Sequence, residues 1–508
     1  MKVLFSDEMR MLDNKIIIEN KIPSIILMEN AAQGLFEACM EFDSDHTTFY
    51  IFCGTGNNGG DGIALARKLL SDNHAVKLFM IGSRNNLKSD AKINAGYFIK
   101  YERLNYIDHN FDYQSIFSAI GKEDVIVDAL LGTGLTRNVE GKYLDVINEI
   151  NKSHAKVISV DIPSGVCADT GQIFNMAVNS NLTVTFQYPK PGHFIFPGRD
   201  LKGRLRVHKI GIDDNLNFQG DIKIEAYSRA SKELIIKNRM RDSHKGSHGH
   251  LAMICSSKEM SGAGLLCAKA ALRSGVGILF LGVPDSVHPI FQSEIIEAPA
   301  TSFKSKDGAF DDIDRLDSFM GNKHALAIGP GITNKASVYP LIKKALSNYD
   351  IPKVFDADAL NIISSSIDYL DGHVGDVVLT PHPLEFSRLT GASVKDILKD
   401  PINHAVSFAK EHNLTLLLKG STTIIANSTS EVAMILTGTS GMAKGGSGDV
   451  LTGIIGSLMA QGHCGFDAAI LGAYISGLAG EFASSKLGDH SMTPKDTLEM
   501  IAKVIATL

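Results

Sequence analysis

The stretch Gly438–Met459, GTSGMAKGGSGDVLTGIIGSLM, begins as a glycine-rich loop and continues as a helix. Glycines permit the unusual backbone angles that a tight loop needs, and they leave the backbone open to a ligand. The first N–H groups of a helix lack intrahelical partners, and the helix dipole favours negative charge there. The large apolar residues that follow have the spacing of a buried helix face: Val450, Leu451, Ile454, Ile455, Leu458 and Met459. The stretch therefore predicts an anion-binding loop at the start of a buried helix.

Asp449 stands between this loop and the helix. A carboxylate does not help to bind an anion, so we interpret Asp449 as an acid or base placed beside a phosphate. The alternative is that Asp449 is only the N-cap of the helix.

The same stretch resembles the anion hole and catalytic aspartate of the ribokinase-like superfamily. More narrowly, it is similar to the ADP/ATP-dependent NAD(P)H-hydrate dehydratases, whose signature runs close to G-M-A-x-x-G-x-G-D-V-L-x-G. Only Lys444 departs from it, since the family usually has a small residue at that position.

Length and composition limit the classes of protein that the chain can belong to. With 508 residues it is too long for one ordinary core, so two or more domains are expected. The apolar fraction of 44% and the charged fraction of 21% are typical of soluble globular proteins. The net charge of −6 gives no reason to expect nucleic acid or an acidic membrane as partner.

The sequence also indicates a compartment. It contains no apolar run of about 18 residues that would predict a membrane span. Acidic residues follow the N-terminus too early for a signal or transit peptide. The six cysteines are scattered without a CxxC pair, which favours reduced thiols and disfavours a metal site built on them. We therefore expect a cytoplasmic protein.

The first glycine-rich loop in the chain has the layout of a nucleotide site. An apolar run, Phe49–Cys53, leads into Gly54–Gly62, GTGNNGGDG, and a helical pattern follows. The GxGxxG match is weak evidence by itself, and the next strand, Ala75–Ile81, ends without the acidic residue of a hydride-transfer Rossmann domain. Asn57 and Asn58 offer amide oxygens for a hard cation and NH₂ groups for phosphate or ribose.

Three further apolar runs end in polar or glycine-rich loops: Val125–Leu131, Val157–Asp161 and Leu182–Gln187. Open α/β sheets bind ligands at such carboxyl ends. Asp128 and Asp161 lie at or near two of these ends, where an unpaired charge is costly. The alternative for either aspartate is a structural cap on a neighbouring loop.

The combination N-N-G-G-D-G, D-A-L-L-G-T-G-L-T-R and D-I-P-S-G resembles the NAD(P)H-hydrate epimerases over roughly residues 5 to 212. The resemblance implies that a hydrated nicotinamide nucleotide is held by Asn57, Asn58, Gly59, Gly60, Asp61, Gly132, Thr133, Gly134, Leu135, Thr136, Arg137 and Asn138. It also implies that Asn58, Asp128 and Ser164 bind K⁺. Asp161 would contact the nicotinamide ring and is our candidate for the acid or base. Asn138 stands where the family often has proline.

The polar, turn-rich segment Gly211–Gly220 predicts a domain break near residue 220, giving domains 1–220 and 221–508. Apolar runs alternate with helical stretches in both halves, which is typical of mostly parallel sheets covered by helices. We expect two α/β domains, an N-terminal Rossmann-like three-layer domain and a C-terminal domain whose resemblance implies a ribokinase-like fold.

From about residue 230 onward, the motifs K-G-x-x-G, G-P-G, D-A-D-A-L and T-P-H-P add to the resemblance to the hydrate dehydratases. Leu384 and Thr333 stand where that family usually has glycine. Taken singly, each motif has a structural alternative: Asp356 and Asp358 as turn formers, and His382 as a surface or capping histidine.

The resemblance implies that the dehydratase substrate contacts Ala263, Gly331, His382, Pro383, Leu384, Glu385, Phe386, Ser387, Arg388 and Asp449. It implies that the adenine nucleotide is held by Lys419, Gly420, Ser421, Thr422, Thr423, Thr439, Ser440, Gly441, Met442, Ala443, Lys444, Gly445, Gly446, Ser447 and Gly448. Asp449 would take the substrate hydroxyl proton.

These resemblances imply a bifunctional repair enzyme for hydrated NADH and NADPH, the compounds NADHX and NADPHX. One half would interconvert the R and S hydrates, and the other would dehydrate the S form with ADP or ATP and Mg²⁺. We expect a homo-oligomer with no nucleic-acid or membrane partner. Two alternatives stay open: a ribokinase-like kinase that stops at a phosphorylated alcohol, and an N-terminal half that is a binding scaffold without catalysis.

Overall fold

The computed structural model describes residues 1–108, 111–214, 220–231, 233–234, 236 and 239–508. The chain divides into two compact units, one of residues Lys2–Asp221 and one of Ile222–Leu508 together with Met1. Residues 215–219 of the polar segment on which the predicted boundary rests lie outside the described residues. Among the residues that are described, every helix is too short or too polar to cross a membrane.

The N-terminal unit alternates strands and helices along most of its length. Its elements are β1 (Lys2–Val3), α1 (Ser6–Ile18), α2 (Ser24–Cys39), β2 (Thr48–Cys53), α3 (Asn57–Ser71), β3 (Ala75–Ile81), α4 (Ser89–Lys100), β4 (Leu104–Ile107), α5 (Tyr113–Ser118), β5 (Val125–Ala129), α6 (Lys142–Lys152), β6 (Lys156–Val160), β7 (Leu182–Phe186), α7 (Gly198–Leu201) and β8 (Arg204–His208). The predicted strands are present, and the three that carry polar loops end slightly earlier than predicted.

The sheet of this unit has the strand order β4-β3-β2-β5-β6-β7-β8, and all of these neighbours are parallel. The chain winds from β2 outward in one direction and then from β5 outward in the other. The carboxyl ends of β2 and β5 therefore flank a topological switch point, which is where doubly wound sheets form a ligand crevice.

Alternating side chains of each strand face the two sides of this sheet, and each side packs against helices. Ile51 and Val127 belong to a core shared with Leu12, Leu35 and Leu65 of α1, α2 and α3. On the opposite face, residues such as Phe52 and Phe79 pack with Val146 and Ile147 of α6. The Rossmann-like three-layer prediction is confirmed by this arrangement.

The C-terminal unit has a larger mixed sheet. Its elements are β9 (Lys223–Tyr227), β10 (His250–Ile254), α8 (Ser261–Arg273), β11 (Ile278–Pro284), α9 (His288–Glu294), β12 (Ala300–Phe303), β13 (Ser305–Lys306), β14 (Ala309–Phe310), α10 (Arg315–Met320), β15 (Ala325–Ile328), α11 (Tyr339–Ser347), β16 (Lys353–Phe355), α12 (Asp358–Ser365), β17 (Val377–Leu379), α13 (Pro383–Thr390), α14 (Val394–Lys399), α15 (Pro401–Glu411), β18 (Thr415–Leu418), β19 (Thr423–Ala426), β20 (Glu431–Ile435), α16 (Ser447–Ala460), α17 (Gly465–Leu487) and α18 (Pro494–Ile505).

Within this unit the strand order is β9-β20-β19-β18-β17-β16-β15-β10-β11-β12. The neighbours are parallel except for the antiparallel pairs β18–β19 and β19–β20. The loops that follow β10, β15, β16, β17 and β18 consequently meet at one edge of the sheet. α8, α16, α17 and α18 cover one face and share a core with it.

α16 lies close to α8 because a glycine removes the side chain at their contact. A Cβ added to Gly453 would lie 2.1 Å from the carbonyl oxygen of Cys267 on α8, a backbone atom that cannot move alone. The contact therefore limits how large a side chain this position of α16 can carry.

We predict that Gly453→Ala destabilises the C-terminal unit by about 1–3 kcal/mol, because the helices must separate to admit the methyl group. The measurement is denaturant unfolding of the full chain, followed through the transition of this unit. The matched control is Gly262→Ala in α8, where a Cβ would meet no atom within 4 Å. That variant should be neutral or more stable by up to about 1 kcal/mol. Equal midpoints for the two variants would contradict the prediction.

Candidate active sites

The glycine loop leads into α16 as predicted, and Asp449 is the third residue of that helix. The N-cap is Gly446, with φ of 101°, and no side chain caps the helix. The alternative that Asp449 is the N-cap is therefore wrong. The half-buried carboxyl of Asp449 does not cap the helix, and the first N–H groups of α16 have no side-chain cap.

The glycines of the loop fall into two groups. Gly441 and Gly446 are packed: an added Cβ would press on Met492 at the first and on Leu266 and Pro494 at the second. Around Gly445 there is open space within 4 Å. A Cβ on Gly448 would lie 3.4 Å from both Asp356 Oδ2 and Lys419 Nζ. The loop thus has a packed side and a side that is open to a ligand.

Hydrogen bonds to Asp489 hold the beginning of this loop. The hydroxyls of Thr439 and Ser440 donate to its carboxylate, as does Ser484 on α17. These donors hold the pKa of Asp489 well below its usual range. Among the described residues near the loop, Asp489 is a component that sequence reasoning missed.

Lys444, which departs from the family signature, has a structural role here. Its ammonium group donates to the carbonyl oxygens of His490 (2.8 Å), Met492 and Asp489. Three acceptors satisfy the three donors of a lysine ammonium group. The side chain therefore fastens the middle of the glycine loop to the segment before α18.

An ion pair between a buried aspartate and a half-buried lysine lies beside the open side of the loop. Lys419, after β18, donates to Asp356 Oδ1 over 2.8 Å, and Thr452 of α16 donates to Asp356 Oδ2 over 2.7 Å. Asp356 is only 1% exposed. Burial opposes its ionisation, but the Lys419 charge and these hydrogen bonds outweigh burial and lower the pKa of Asp356. The turn-former alternative does not describe Asp356, which is an ionised partner of Lys419.

Asp449 has the opposite electrostatic environment. Burial and the nearby carboxylates of Asp356 and Asp358 raise its pKa to about 6, against a smaller opposing effect of Lys419. A carboxyl group with such a pKa is well matched to proton transfer near neutral pH. This is the property that the acid/base interpretation of Asp449 requires.

His382 caps α13, as its structural alternative suggested. Its Nδ1 accepts hydrogen bonds from the N–H groups of Leu384 and Glu385, and Glu385 in turn accepts from the N–H of His382. Glu385 Oε2 also lies 3.8 Å from Lys419 Nζ. The capping interaction therefore places the beginning of α13 beside the Asp356–Lys419 pair.

The remaining residues predicted for the dehydratase substrate are placed differently from one another. Gly331 lies against α8, since its added Cβ would be 3.2 Å from Ala263 Cβ. Leu384 is half exposed, but Phe386 is fully buried and packs edge-on against Phe408. Ser387 donates to the carbonyl of Ala392. Pro383 is in the first turn of α13, and Arg388 donates to Asn361. The Phe386 side chain thus faces the core and not the sheet edge.

Of the residues predicted for the nucleotide, Lys419 is brought to the beginning of α16, while Thr423 begins β19 and donates to the carbonyl of Gly420. Met442 packs on α17, where a Cβ on Gly480 would lie 2.2 Å from its Sδ.

The N-terminal unit has a cavity of about 930 Å³ at the switch point of its sheet. The cavity is lined by Asn57, Asn58 and Asp61 of α3, and by Gly132, Thr133, Gly134, Leu135, Thr136 and Arg137 after β5. Asp161, after β6, also lines it. Asn138 lines a second cavity of about 520 Å³ together with Leu135 and Arg137. The two loops that the sequence predicted for one nucleotide are brought together here.

Within the first turn of α3, the side-chain amide of Asn58 has no hydrogen-bond partner among the described residues, although both polar atoms are buried. Its Oδ1 would lie 3.1 Å from a Cβ on Gly132. Gly59 and Gly60 are packed instead, the former on the carbonyl of Gly54 and the latter on Met28 and Ala91. Asn58 therefore faces the other loop with unused hydrogen-bonding capacity.

Asp128 and Ser164 lie deeper and contact each other directly. Ser164 donates its hydroxyl (2.5 Å) and its N–H (2.9 Å) to the Asp128 carboxylate, which also accepts from Ser159 and from the N–H of Leu130. These hydrogen bonds lower the pKa of Asp128, but burial has the larger effect and raises it. The alternative of a structural cap on a neighbouring loop describes these contacts, since the N–H of Ser164 belongs to the loop that follows β6.

Asp161 has a strained backbone and a buried lysine partner. Its φ of 62° lies in the left-handed region that non-glycine residues rarely adopt. Lys190, 1% exposed, donates to Asp161 Oδ1 over 2.5 Å, and Thr185 donates to the same oxygen. Burial opposes ionisation, but Lys190 outweighs it and lowers the pKa of Asp161.

His193 completes this cluster. Its Nδ1 accepts from the N–H of Lys190, so its Nε2 donates to the carbonyl of Asp161 over 2.8 Å. Burial and the Lys190 charge lower the pKa of His193 to about 4, which keeps the ring neutral.

Sequence reasoning did not select Lys190 or Asp13, which line this cavity, or Thr185 and His193, which contact Asp161. The proline-flanked Lys190 after a strand was a usable signal. Asp13 is one of many polar residues on an amphipathic helix, and the sequence around it does not indicate that it lines the cavity.

The fold and these sites define a two-unit α/β protein with a phosphate-type glycine loop in one unit and a nucleotide-sized cavity in the other. The family described as NAD(P)H-hydrate dehydratase matches residues 251–503, and the family described as YjeF-related protein N-terminus matches residues 24–192. The bifunctional NAD(P)H-hydrate repair enzyme of Moorella thermoacetica is 37% identical, over 100% of this chain and 97% of the relative. The chain therefore belongs to the bifunctional NAD(P)H-hydrate repair enzymes.

Solved structures resemble the C-terminal half. A ribokinase-like superfamily protein from Enterococcus faecalis has a TM-score of 0.50 and 23% identity, covering 58% of this chain and 99% of its own. The ADP/ATP-dependent NAD(P)H-hydrate dehydratase of Bacillus subtilis, co-crystallised with ATP and Mg²⁺, is 28% identical with a TM-score of 0.46, covering 54% of this chain and 94% of its own. The first likeness confirms the ribokinase-like fold.

We predict that Lys444→Met loosens the glycine loop, because the carbonyl oxygens of residues 489–492 lose their shared donor. Backbone amides of residues 440–446 should exchange with deuterium about tenfold faster in native buffer, as expected when a local opening becomes easier by about 1.4 kcal/mol. Lys486→Met at the end of α17 is the control and should leave these rates unchanged. Unchanged exchange in Lys444→Met would show that the contacts do not hold the loop.

Proposed function

We propose that this protein repairs hydrated NADH and NADPH, with epimerisation in unit Lys2–Asp221 and nucleotide-driven dehydration in unit Ile222–Leu508. The observation that carries the dehydratase assignment is the position of Asp449. It is a half-buried carboxyl with a pKa of about 6, in the first turn of an uncapped helix that follows an open glycine loop.

The dehydration step follows from these groups. Hydroxide is a poor leaving group, so the hydroxyl must first be phosphorylated. Asp449 takes the proton of the substrate hydroxyl, and the oxygen of that hydroxyl attacks the terminal phosphoryl group of ADP or ATP. The shortened nucleotide leaves. The phosphate group of the new ester then leaves with the C–O electron pair, and the neighbouring ring carbon gives a proton to the departing phosphate, which restores the double bond. The N–H groups of the loop stabilise the charge of the transferring phosphoryl group.

Lys419 is suited to orient the phosphates, since its ammonium group lies 3.4 Å from the position of a Gly448 Cβ and is held by Asp356. Among the described residues, no group of three His, Cys, Asp or Glu side chains could hold a metal ion. We therefore propose that Mg²⁺ arrives on the phosphate oxygens of the nucleotide, which is its usual mode of binding.

The epimerase assignment rests on the cavity between the β2 and β5 loops and on its Asp161–Lys190 pair. We propose that residues 57–61 and 132–138 hold the hydrated nucleotide and that Asp161 acts as acid or base on the ring. The buried amide of Asn58, which has no hydrogen-bond partner in the part of the chain that the structure describes, supports a ligand at this point.

We also propose K⁺ at Asn58, Asp128 and Ser164. All three offer oxygen, which suits a hard cation. The Asn58 amide, without a partner among the described residues, fits such an ion, and Ser164 is already in contact with Asp128. The homo-oligomer and the cytoplasmic location remain predictions from the sequence.

The two alternatives lead to different products. A kinase that stops at phosphorylation would accumulate a stable phosphorylated substrate, whereas the repair reaction returns NADH absorbance and free phosphate. An N-terminal scaffold would bind the hydrate without exchanging its R and S forms. Incubation with mixed NADHX epimers and ADP or ATP distinguishes all of these outcomes.

We predict that Asp449→Asn lowers the dehydration rate by about 10²–10⁴-fold, the usual cost of losing a general base, and leaves epimerisation intact. Dehydration is followed by the return of NADH absorbance, and epimerisation by chromatography of the two hydrates. Asp467→Asn is the matched control, because Asp467 is the third residue of α17 but is exposed. A rate for Asp449→Asn within a few-fold of wild type would remove Asp449 from the mechanism.

The pH profile gives a second readout for the same residue. A base must be deprotonated to act, so kcat for dehydration should fall as the pH drops below about 6, the raised pKa of Asp449. A profile that stays flat down to the ordinary range of an aspartate would contradict this assignment.

We predict that K⁺ raises the melting temperature of the N-terminal unit and its affinity for the hydrate, because the ion would connect two loops that form the cavity. The comparison is with a bulky organic cation at equal ionic strength. If neither quantity depends on K⁺, the site is not an ion site, and Asp128 serves only to hold the Ser164 loop.

A further inference from the structure

Asp13 of α1 is an acidic side chain that the proposed function does not use. α1 is amphipathic and buries Met9, Leu12 and Ile16 in the core, whereas Asp13 lines the cavity of about 930 Å³. Its Oδ1 is buried and has no hydrogen-bond partner among the described residues. A buried polar atom without a partner is costly, so a group that enters the cavity is its natural partner.

The groups around Asp13 identify where in the cavity it lies. Lys190 and Asp161 are its main charged neighbours, and Asp61 is influenced by both Asp13 and Asp161. Asp161 and Lys190 line the same cavity as Asp13. The carboxyl of Asp13, whose Oδ1 has no partner among the described residues, therefore lines one cavity with the Asp161–Lys190 pair.

The two carboxyl groups differ in a way that suits them to opposite tasks. Lys190 and Thr185 both donate to Asp161, which keeps it ionised and able to accept a proton. Asp13 has no such donor on Oδ1, and burial raises its pKa to about 6, against an opposing effect of Lys190. Two titratable groups whose environments shift their pKa values in opposite directions are suited to act as an acid and a base.

We propose that Asp13 is the second proton-transfer residue of the epimerase, acting as an acid while Asp161 acts as the base. This proposal rests on the proposed epimerase function of the N-terminal unit. Asp13 lies on helix α1, whereas the other residues proposed for this site lie in or next to the loops that follow the strands of the sheet.

Ring opening of the hydrate uses two such groups. Its hydroxyl is carried by the ring carbon that is bonded to the ring nitrogen. Asp161 takes the hydroxyl proton, a C=O bond forms, and the C–N bond breaks with its electron pair going to nitrogen. Asp13 gives that nitrogen a proton, so the ring opens to an aldehyde and an N–H group.

Rotation about the bond next to the aldehyde presents the other face of its carbon. The same steps then run in reverse: nitrogen attacks that face, its proton returns to Asp13, and Asp161 returns a proton to the oxygen. Both residues end in the protonation state in which they began, and no oxidant or further reactant is needed. The oxygen atom of the original hydroxyl stays on the substrate throughout.

The experiment uses the full chain and mixed R and S NADHX, with the exchange of the two forms followed by chromatography. Asp13→Asn keeps the shape of the side chain and removes its acidity. We expect kcat to fall by about 100-fold with KM within about threefold, because proton donation acts only in the transition state. Asp7→Asn, an exposed position on the same helix, is the matched control and should match wild type.

Each outcome decides a separate point. If wild type does not exchange the hydrates, the proposed epimerase function fails. If wild type is active and Asp13→Asn retains its kcat, or changes only KM, the role of Asp13 is overturned. If Asp13→Asn does not fold, Asp13→Glu decides: a displaced acid should lower kcat by about tenfold or more, and a wild-type kcat would overturn the proposal.

A solvent label tests the step itself in the unaltered protein. In ¹⁸O-water, ring opening predicts that the newly formed epimer keeps its original oxygen. Incorporation of one labelled oxygen for each epimerisation event would show that water leaves and returns, and would overturn the ring-opening step.

Discussion

In each unit, an ion pair between a lysine and an aspartate at a strand end, with one of the two side chains buried, fixes the charge of the site. Lys190 pairs with Asp161 in the N-terminal unit, and Lys419 pairs with Asp356 in the C-terminal unit. Neither partner tolerates burial alone, because removing one leaves an uncompensated charge. The pairs therefore fix the positions of the loops that follow these strands. Each also has a carboxyl group nearby whose pKa is raised to about 6, Asp13 and Asp449 respectively.

The elements that could be predicted from the sequence are those encoded over short distances. The Gly438–Met459 stretch contains its own loop, helix start and buried face, so the position of Asp449 relative to the loop followed from local spacing. The β2 and β5 loops were predicted in the same way. The order of parallel strands then brings loops from different strands to one edge, and the doubly wound pattern made this edge foreseeable.

The pairings within the sites were not predictable, because they join residues that are far apart in the chain. Asp356 meets Lys419 across 63 positions and Thr452 across 96. A sequence shows that two such residues are charged or polar, but the partner is decided by the path of the sheet between them. For the same reason, the sequence did not indicate that Asp13 lines the cavity. Nor did it indicate that Phe386 faces the core, although Phe386 lies within the predicted substrate motif.

Backbone conformation explains why the family usually has glycine at one position where this chain does not. Thr333 has φ of 68°, in the region where glycine is favoured, so the family preference for glycine at this position has a conformational basis. Asp161 and Ala357, with φ of 62° and 52°, are strained in the same sense just beyond β6 and β16. Such conformations cost about 1–3 kcal/mol each and persist only where the surrounding structure holds them. The hydrogen bonds of Asp161 to Lys190 and Thr185, and that of the Thr333 N–H to Asp358, supply this constraint at the two sites.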